Sequence, residues 1–226
     1  MTVLTSATDH RCSPSTGFIG AFETHVTVRC ADDTVSRLDA WAATAGTKVT
    51  HIVLARGRQP SQPMLTVTGA GTVEEQRQAA GRLVDELEGA GFACVRVKIE
   101  ASPWTEGVPM DDAQAELLGP EQYFEHHVKL LLPVDSDLDA LAELVAPHRA
   151  HLSWNARRTV SGGRQERFVT QRCHRTGLAN AGARLEALTA ALRRAGHQLL
   201  SVEREFVVHD SNTAIDDGWI TEGDAA

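Results

Sequence analysis

The chain has 226 residues, 42% apolar and 23% charged, the balance of a globular protein and not of a collagenous, mucin-like or disordered one. Its 22 Lys and Arg stand against 30 Asp and Glu, a net charge of −8, which speaks against nucleic-acid coating but leaves room for a local basic site. No apolar run approaches the roughly 18 residues that span a bilayer, and Cys12, Cys30, Cys94 and Cys173 form no Cys-x-x-Cys pair, so neither a membrane helix nor a zinc ribbon is expected.

Residues 1–20 are rich in Ser, Thr, Gly and Pro and lack the basic start and apolar stretch of a secretory signal. They read as a flexible leader of a cytoplasmic protein with reduced thiols. Residues 21–100 then supply a strand (Phe22 to Val28) and a helix with apolar residues at Val35, Leu38 and Trp41. Strands around His51 and Met64 follow, then a helix from about Val73 to Glu88, and a strand from Val95 to Glu100. Thr72 and Glu75 make a capping box for the second helix, and Gly91 supplies its stop.

Residues 101–121, with three prolines, read as a connector, after which the pattern repeats over 122–208. Phe22-Glu23-Thr24-His25-Val26 matches Phe124-Glu125-His126-His127-Val128, and Met64-Leu65-Thr66 matches Phe168-Val169-Thr170. Thr50-His51-Ile52 resembles Ala150-His151-Leu152. The second-repeat helices carry Leu138, Leu141 and Leu144, then run from about Ala179 to Arg194 with Gly196 after the stop. The closing strand is Val202 to Val208. Each half therefore reads βαββαβ. This predicts an α+β chain of two tandem ferredoxin-like repeats, packed as a pseudo-dimeric sandwich or barrel with the helices outside. Because the repeat mimics a dimer, a monomer is plausible. Residues 209–226 form a C-terminal tail that could fold back as a lid over the inter-repeat pocket.

Alternation along the strands assigns side chains to the face away from the helices. Glu23, His25 and Thr27 lie there in the first strand, and Glu125, His127 and Lys129 in its partner. His51 and Val53 are matched with His151 and Ser153, and the closing strands add Arg96, Lys98 and Glu100, then Ser201, Glu203 and Glu205. His25, His51, His127 and His151 are the candidates for acid–base catalysis, since imidazole titrates near neutrality. Thr27, Ser153, Glu125 and Glu205 are candidate substrate contacts.

Seven arginines lie between Arg149 and Arg175, and Arg157, Arg172 and Arg175 are the candidates for contacting an anion. The expected function is binding of a small phosphate- or carboxylate-bearing metabolite between the repeats, with catalysis left open. The alternative is a non-catalytic ligand-binding or regulatory module. No metal motif is read, although His127 with Glu203 or Glu205 has suitable chemistry, and no cofactor is assigned. With aromatics at 5%, a stacking surface for single-stranded nucleic acid is not expected.

His25-Val26-Thr27 and His151-Leu152-Ser153 resemble the His-x-Thr/Ser motifs of the two-histidine phosphoesterases, and His51-Ile52-Val53-Leu54-Ala55-Arg56 is similar to a strand of that family. The resemblance implies a duplicated α+β fold, with one histidine as base, one as acid, and the hydroxyls on phosphate. The repeat partners of Thr27 and Ser153 are Lys129 and Val53, so neither motif recurs intact in both halves.

Overall fold

The computed structural model describes residues 17–29, 32–158 and 162–219. Most of the leader, Ser161 of the arginine-bearing hairpin and the end of the tail lie outside the described residues.

The first half runs β1 (Ile19–Arg29), α1 (Asp32–Ala45), β2 (Lys48–Leu54), β3 (Ser61–Thr72), α2 (Val73–Gly89) and β4 (Ala93–Ala101). A short helix α3 (Asp112–Ala115) interrupts the connector. The second half runs β5 (Tyr123–Pro133), α4 (Leu138–Val145), β6 (Ala150–Asn155), β7 (Arg164–His174), α5 (Leu178–Arg194) and β8 (Gln198–Asp210). Both halves are βαββαβ, and their eight strands close into one antiparallel barrel in the order β1-β3-β2-β6-β7-β5-β8-β4. Each half contributes four adjacent strands, and the halves meet at two seams. At one seam β2 pairs with β6 through Ile52, Val53 and Leu54 opposite Asn155, Trp154 and Ser153. At the other, β4 pairs with β8 over Lys98 to Ala101.

The helices form because their apolar residues fall on one stripe, and the stripe faces the outside of the barrel. In α2 the buried residues are Gln76, Ala80, Leu83 and Leu87, a spacing of three and four. Its start is fixed by the expected capping box, Thr72 accepting from the Glu75 amide and Glu75 from the Thr72 amide. One core cluster joins α1 and α2 to Val26, Val28 and Leu65; another joins α4 and α5 to Val128, Leu130 and Val169. A third, with Phe22, Phe124 and Phe206, lies where the halves meet. Apolar side chains thus occupy the layer between strands and helices, which leaves the alternate side chains to fill the barrel.

Register breaks occur at Thr27/Val28 against β4 and at Lys129/Leu130 against β8. They fall at matching points of the two halves, and bulges of this kind add the local twist a small barrel needs. The connector is also built into the fold. Asp112 accepts from the Gly177 amide and from Asn180 at the start of α5, both at 2.7 Å.

Candidate functional site

The barrel interior is a cavity of about 280 Å³, at the small end of the roughly 300–1,000 Å³ typical of ligand pockets. Its lining holds six Asp or Glu and six Lys or Arg, so the chamber is polar and close to charge-balanced, not an anion sink.

Two arms of matched chemistry reach into it. On β1, His25 places Nδ1 2.9 Å from Thr66 Oγ1 and Nε2 2.8 Å from Glu100 Oε2. On β5, His127 places Nδ1 2.9 Å from Thr170 Oγ1, while Nε2 lies 3.4 Å from both Glu125 and Glu205. His25 pairs across the sheet with Thr66, and His127 with Thr170, so strand register alone sets both contacts. A carboxylate only accepts, so Nε2 carries the proton toward the glutamate and Nδ1 faces the threonine hydroxyl. The result is a Thr–His–Glu arm in each half.

Lys98, on β4 opposite His25, links the arms, its ammonium 2.5 Å from both Glu100 and Glu125. Burial would raise the Glu100 carboxyl, but Lys98 and His25 hold it well below the usual carboxylate range. Glu125 is held down in the same way against its burial, by Arg172 and Lys98. Burial would lower His127, yet Glu125 and Glu205 outweigh it and push the imidazole up to about 10. Glu205 goes the other way: burial and the neighbouring Glu100 charge raise its carboxyl. Its buried Oε2 lies 3.4 Å from His127 Nε2, too long for a well-formed hydrogen bond, and has no better donor among the described residues.

Glu100, Glu125, His127 and Glu205 bring ligand atoms within 4.8 Å of one another and are the described residues that could hold a metal ion. The Lys98 ammonium already sits against two of those carboxylates, so a cation entering there must displace it.

At one end of the barrel the chain folds back on itself. A 3₁₀ turn (Thr213–Asp216) carries Asp216 into the lining. Trp219, 4% exposed, donates from Nε1 to the Leu152 carbonyl at 2.9 Å. Asp216 receives bonds from Arg96, Arg172 and Gln62, and Arg96 is further held by Asp210. The rim residues Glu23, Lys48, Arg158 and Glu203 are exposed.

Of the residues named from the sequence, His25, Thr27, Glu125, His127, Ser153, Arg172 and Glu205 line this cavity. His51 does not: Thr50, Ile52 and Leu54 point inward instead, and His51 lies 2.9 Å from Ser61 on the other face. His151 packs against Trp219, ring centroids 5.7 Å apart, and is outside the lining. The arginines do not converge either. Arg157 is exposed and pairs with Asp39, and Arg175 is exposed in a left-handed turn before α5. Arg172 alone of the three enters the barrel, because consecutive strand residues alternate faces and loop residues leave the sheet. The motif His-x-Thr/Ser is therefore not presented by two facing histidines: the pair brought together is His25 with His127.

Sequence reasoning did not assign the linking roles of Arg96, Lys98 and Glu100, nor those of Gln62, Thr66, Thr170, Asp216 and Trp219. A signal existed for the threonines, since Thr66 and Thr170 recur inside the repeated β3 and β7 segments.

No protein-family model matches the chain, and no curated protein does. Among solved structures it aligns with the acetolactate synthase small subunit from Thermotoga maritima at 15% identity, over 84% of this chain and 96% of that one, with a TM-score of 0.25. It also aligns with chlorite dismutase from Candidatus Nitrospira defluvii in complex with imidazole. Identity there is 13%, over 84% of this chain and 91% of that one, with a TM-score of 0.28. Likenesses this distant say nothing of what the barrel holds. The fold rests on the strand order and pairing.

Proposed function

We propose that the barrel is a binding chamber for one small polar molecule bearing an anionic group. The observation that supports it most is the pair of Thr–His–Glu arms converging on a cavity that apolar side chains leave unfilled. Buried polar groups cost free energy unless they are paired, and Glu205 Oε2 has no good donor among the described residues. A ligand N–H or O–H would supply one. Lys129 lines the same cavity with its ammonium 5.2 Å from the Phe168 ring centroid; among the described residues it has no carboxylate partner, so it is a cation available to a ligand anion. A cavity of about 280 Å³ suits a compact metabolite.

Acid–base turnover is a second reading, favoured by the raised Glu205 carboxyl beside the chamber. A carboxyl that keeps its proton nearer neutrality is suited to donate one. His127, charged on both sides of neutrality, would then be an electrostatic partner and not the base.

The test is a thermal-shift screen of small metabolites, anionic and neutral, against the native protein and the Lys129→Ala and Glu205→Gln variants. Compounds that raise the melting temperature of the native protein are expected to lose most of that effect in both variants. Stabilisation unchanged in both would place binding elsewhere and overturn the chamber.

A further inference from the structure

The closed end of the barrel carries a carboxylate that neither repeat supplies. Asp216 comes from the segment after β8, and its side chain is 2% exposed. Arg96 Nη1 donates to Asp216 Oδ2 at 3.0 Å and Arg172 Nη2 to the same oxygen at 2.8 Å, while Gln62 Nε2 donates to Oδ1 at 2.8 Å. The donors stand on three strands, β4, β7 and β3, drawn from both halves. All three are buried and line the cavity.

Each arginine also has its own partner. Arg96 holds Asp210 through Nε and Nη2, and Arg172 holds Glu125 through Nε. These contacts fix the guanidinium planes without Asp216, so one donor of each remains aimed at a common point. The geometry is that of a receptor for a two-oxygen anion, since guanidinium forks are rigid and suit carboxylates. It has no copy at the opposite end, because the repeat positions of Arg96 and Arg172 hold Ser201 and Thr68.

We propose that Arg96, Arg172 and Gln62 form a carboxylate-binding subsite, and that Asp216 is its resident occupant, exchangeable with the carboxylate of a ligand. As an assignment of ligand class this deepens the chamber reading and rests on it; as a statement about the subsite it is tested without any chamber ligand. When the Asp216 segment lifts, three buried donors lose their acceptor, and an incoming carboxylate restores all three bonds.

The experiment is chemical rescue of Asp216→Ala. Melting temperatures are measured in sodium formate, sodium acetate and sodium chloride at equal ionic strength, for the variant and the native protein. The variant is expected to melt several degrees lower, and formate to restore at least half of that loss saturably in the millimolar range. Chloride should not restore it, and the native protein should not respond. Adding Gln62→Ala should weaken the rescue several-fold. Equal effects of formate and chloride on the variant, or equal formate effects on both proteins, would overturn the subsite. If the variant does not fold unaided, recovery of folded protein from denaturant decides in its place. Recovery only with formate supports the subsite; none with either salt sinks it. Failed rescue beside a metabolite that still depends on Lys129 and Glu205 would remove the subsite and leave the chamber standing. Rescue without any such metabolite would do the reverse.

Discussion

His25 and His127 occupy matching places, and their surroundings set them apart. His25 has Glu100 close to Nε2, whereas His127 stands between Glu125 and Glu205. A histidine raised from 6.5 to about 10 on folding binds its proton more tightly in the native state. Its contribution to stability is then complete below pH ~6.5 and is lost as the pH climbs toward 10. Native protein should lose stability over that window relative to His127→Gln, read by urea denaturation at pH 6, 8 and 10; parallel curves would remove this account. His126 behaves in the opposite sense. Burial lowers it to about 4 and outweighs the opposing contact of its Nδ1 with Gln171 at 3.1 Å, so its neutral form is favoured and its contribution is lost as the pH falls from 6.5 toward 4. Adjacent residues with identical side chains thus oppose each other across pH, because one faces the barrel and the other the core. That division was legible from the alternation of β5. What the sequence could not show was the Glu205 and Lys98 contacts, which depend on how β4, β5 and β8 are registered.

Elements were easier to read than their inward faces. The helices start and stop within a residue or two of their caps and glycines, since those signals are local. β2 shows the limit. Matching His51 to His151 sets the halves at an offset of 100, whereas the inward residues Ile52 and Leu54 of β2 correspond to Ser153 and Asn155 of β6 only at an odd offset. A slip of one residue exchanges the faces of a strand, and β2 offers no guide, because Val49 and Val53 are as apolar as Ile52 and Leu54. The connector exposes another limit. Nothing in 101–121 announced that Asp112 would serve α5, since the contact joins residues 65 positions apart. A Cβ on Gly177 would lie 2.2 Å from the Asp111 carbonyl carbon, so this joint admits no side chain. Gly177→Ala should destabilise by about 1–3 kcal/mol, the usual cost of overpacking, and protease resistance of the connector should fall with it. An unchanged denaturation midpoint would show that the joint yields freely.

At the level of the whole molecule, the described part of the tail, as far as Trp219, packs against the barrel. Trp219 is buried against the Leu152 carbonyl, with Arg172 5.7 Å from its ring centroid. Trp219→Ala should cost about 3–5 kcal/mol, the range for a buried large aromatic. Its denaturation midpoint should drop accordingly; a loss below ~1 kcal/mol would mean the tail is only loosely seated. The duplicated plan was legible because it is written in residues repeated at nearly fixed spacing. The place of Asp216 among Arg96, Arg172 and Gln62 was not, because a segment present once has no partner in the chain to compare with.

Barrel closure carries a consequence for how the two halves depend on each other. In the closed ring each strand has a neighbour on both sides, and the seams themselves are short, pairing Ile52–Leu54 of β2 and Lys98–Ala101 of β4. Separated at the connector, the first half would expose β2 and β4, and the second β6 and β8, each beside an interior face dense with charge. The first could close a ring with its own copy, which would set two sets of Glu23, His25, Lys98 and Glu100 against each other. That ring would lack Arg172, His127 and Asp216. The joining of two copies in one chain therefore does more than hold them together: it forbids the symmetric pairing, and so allows the two arms to become different.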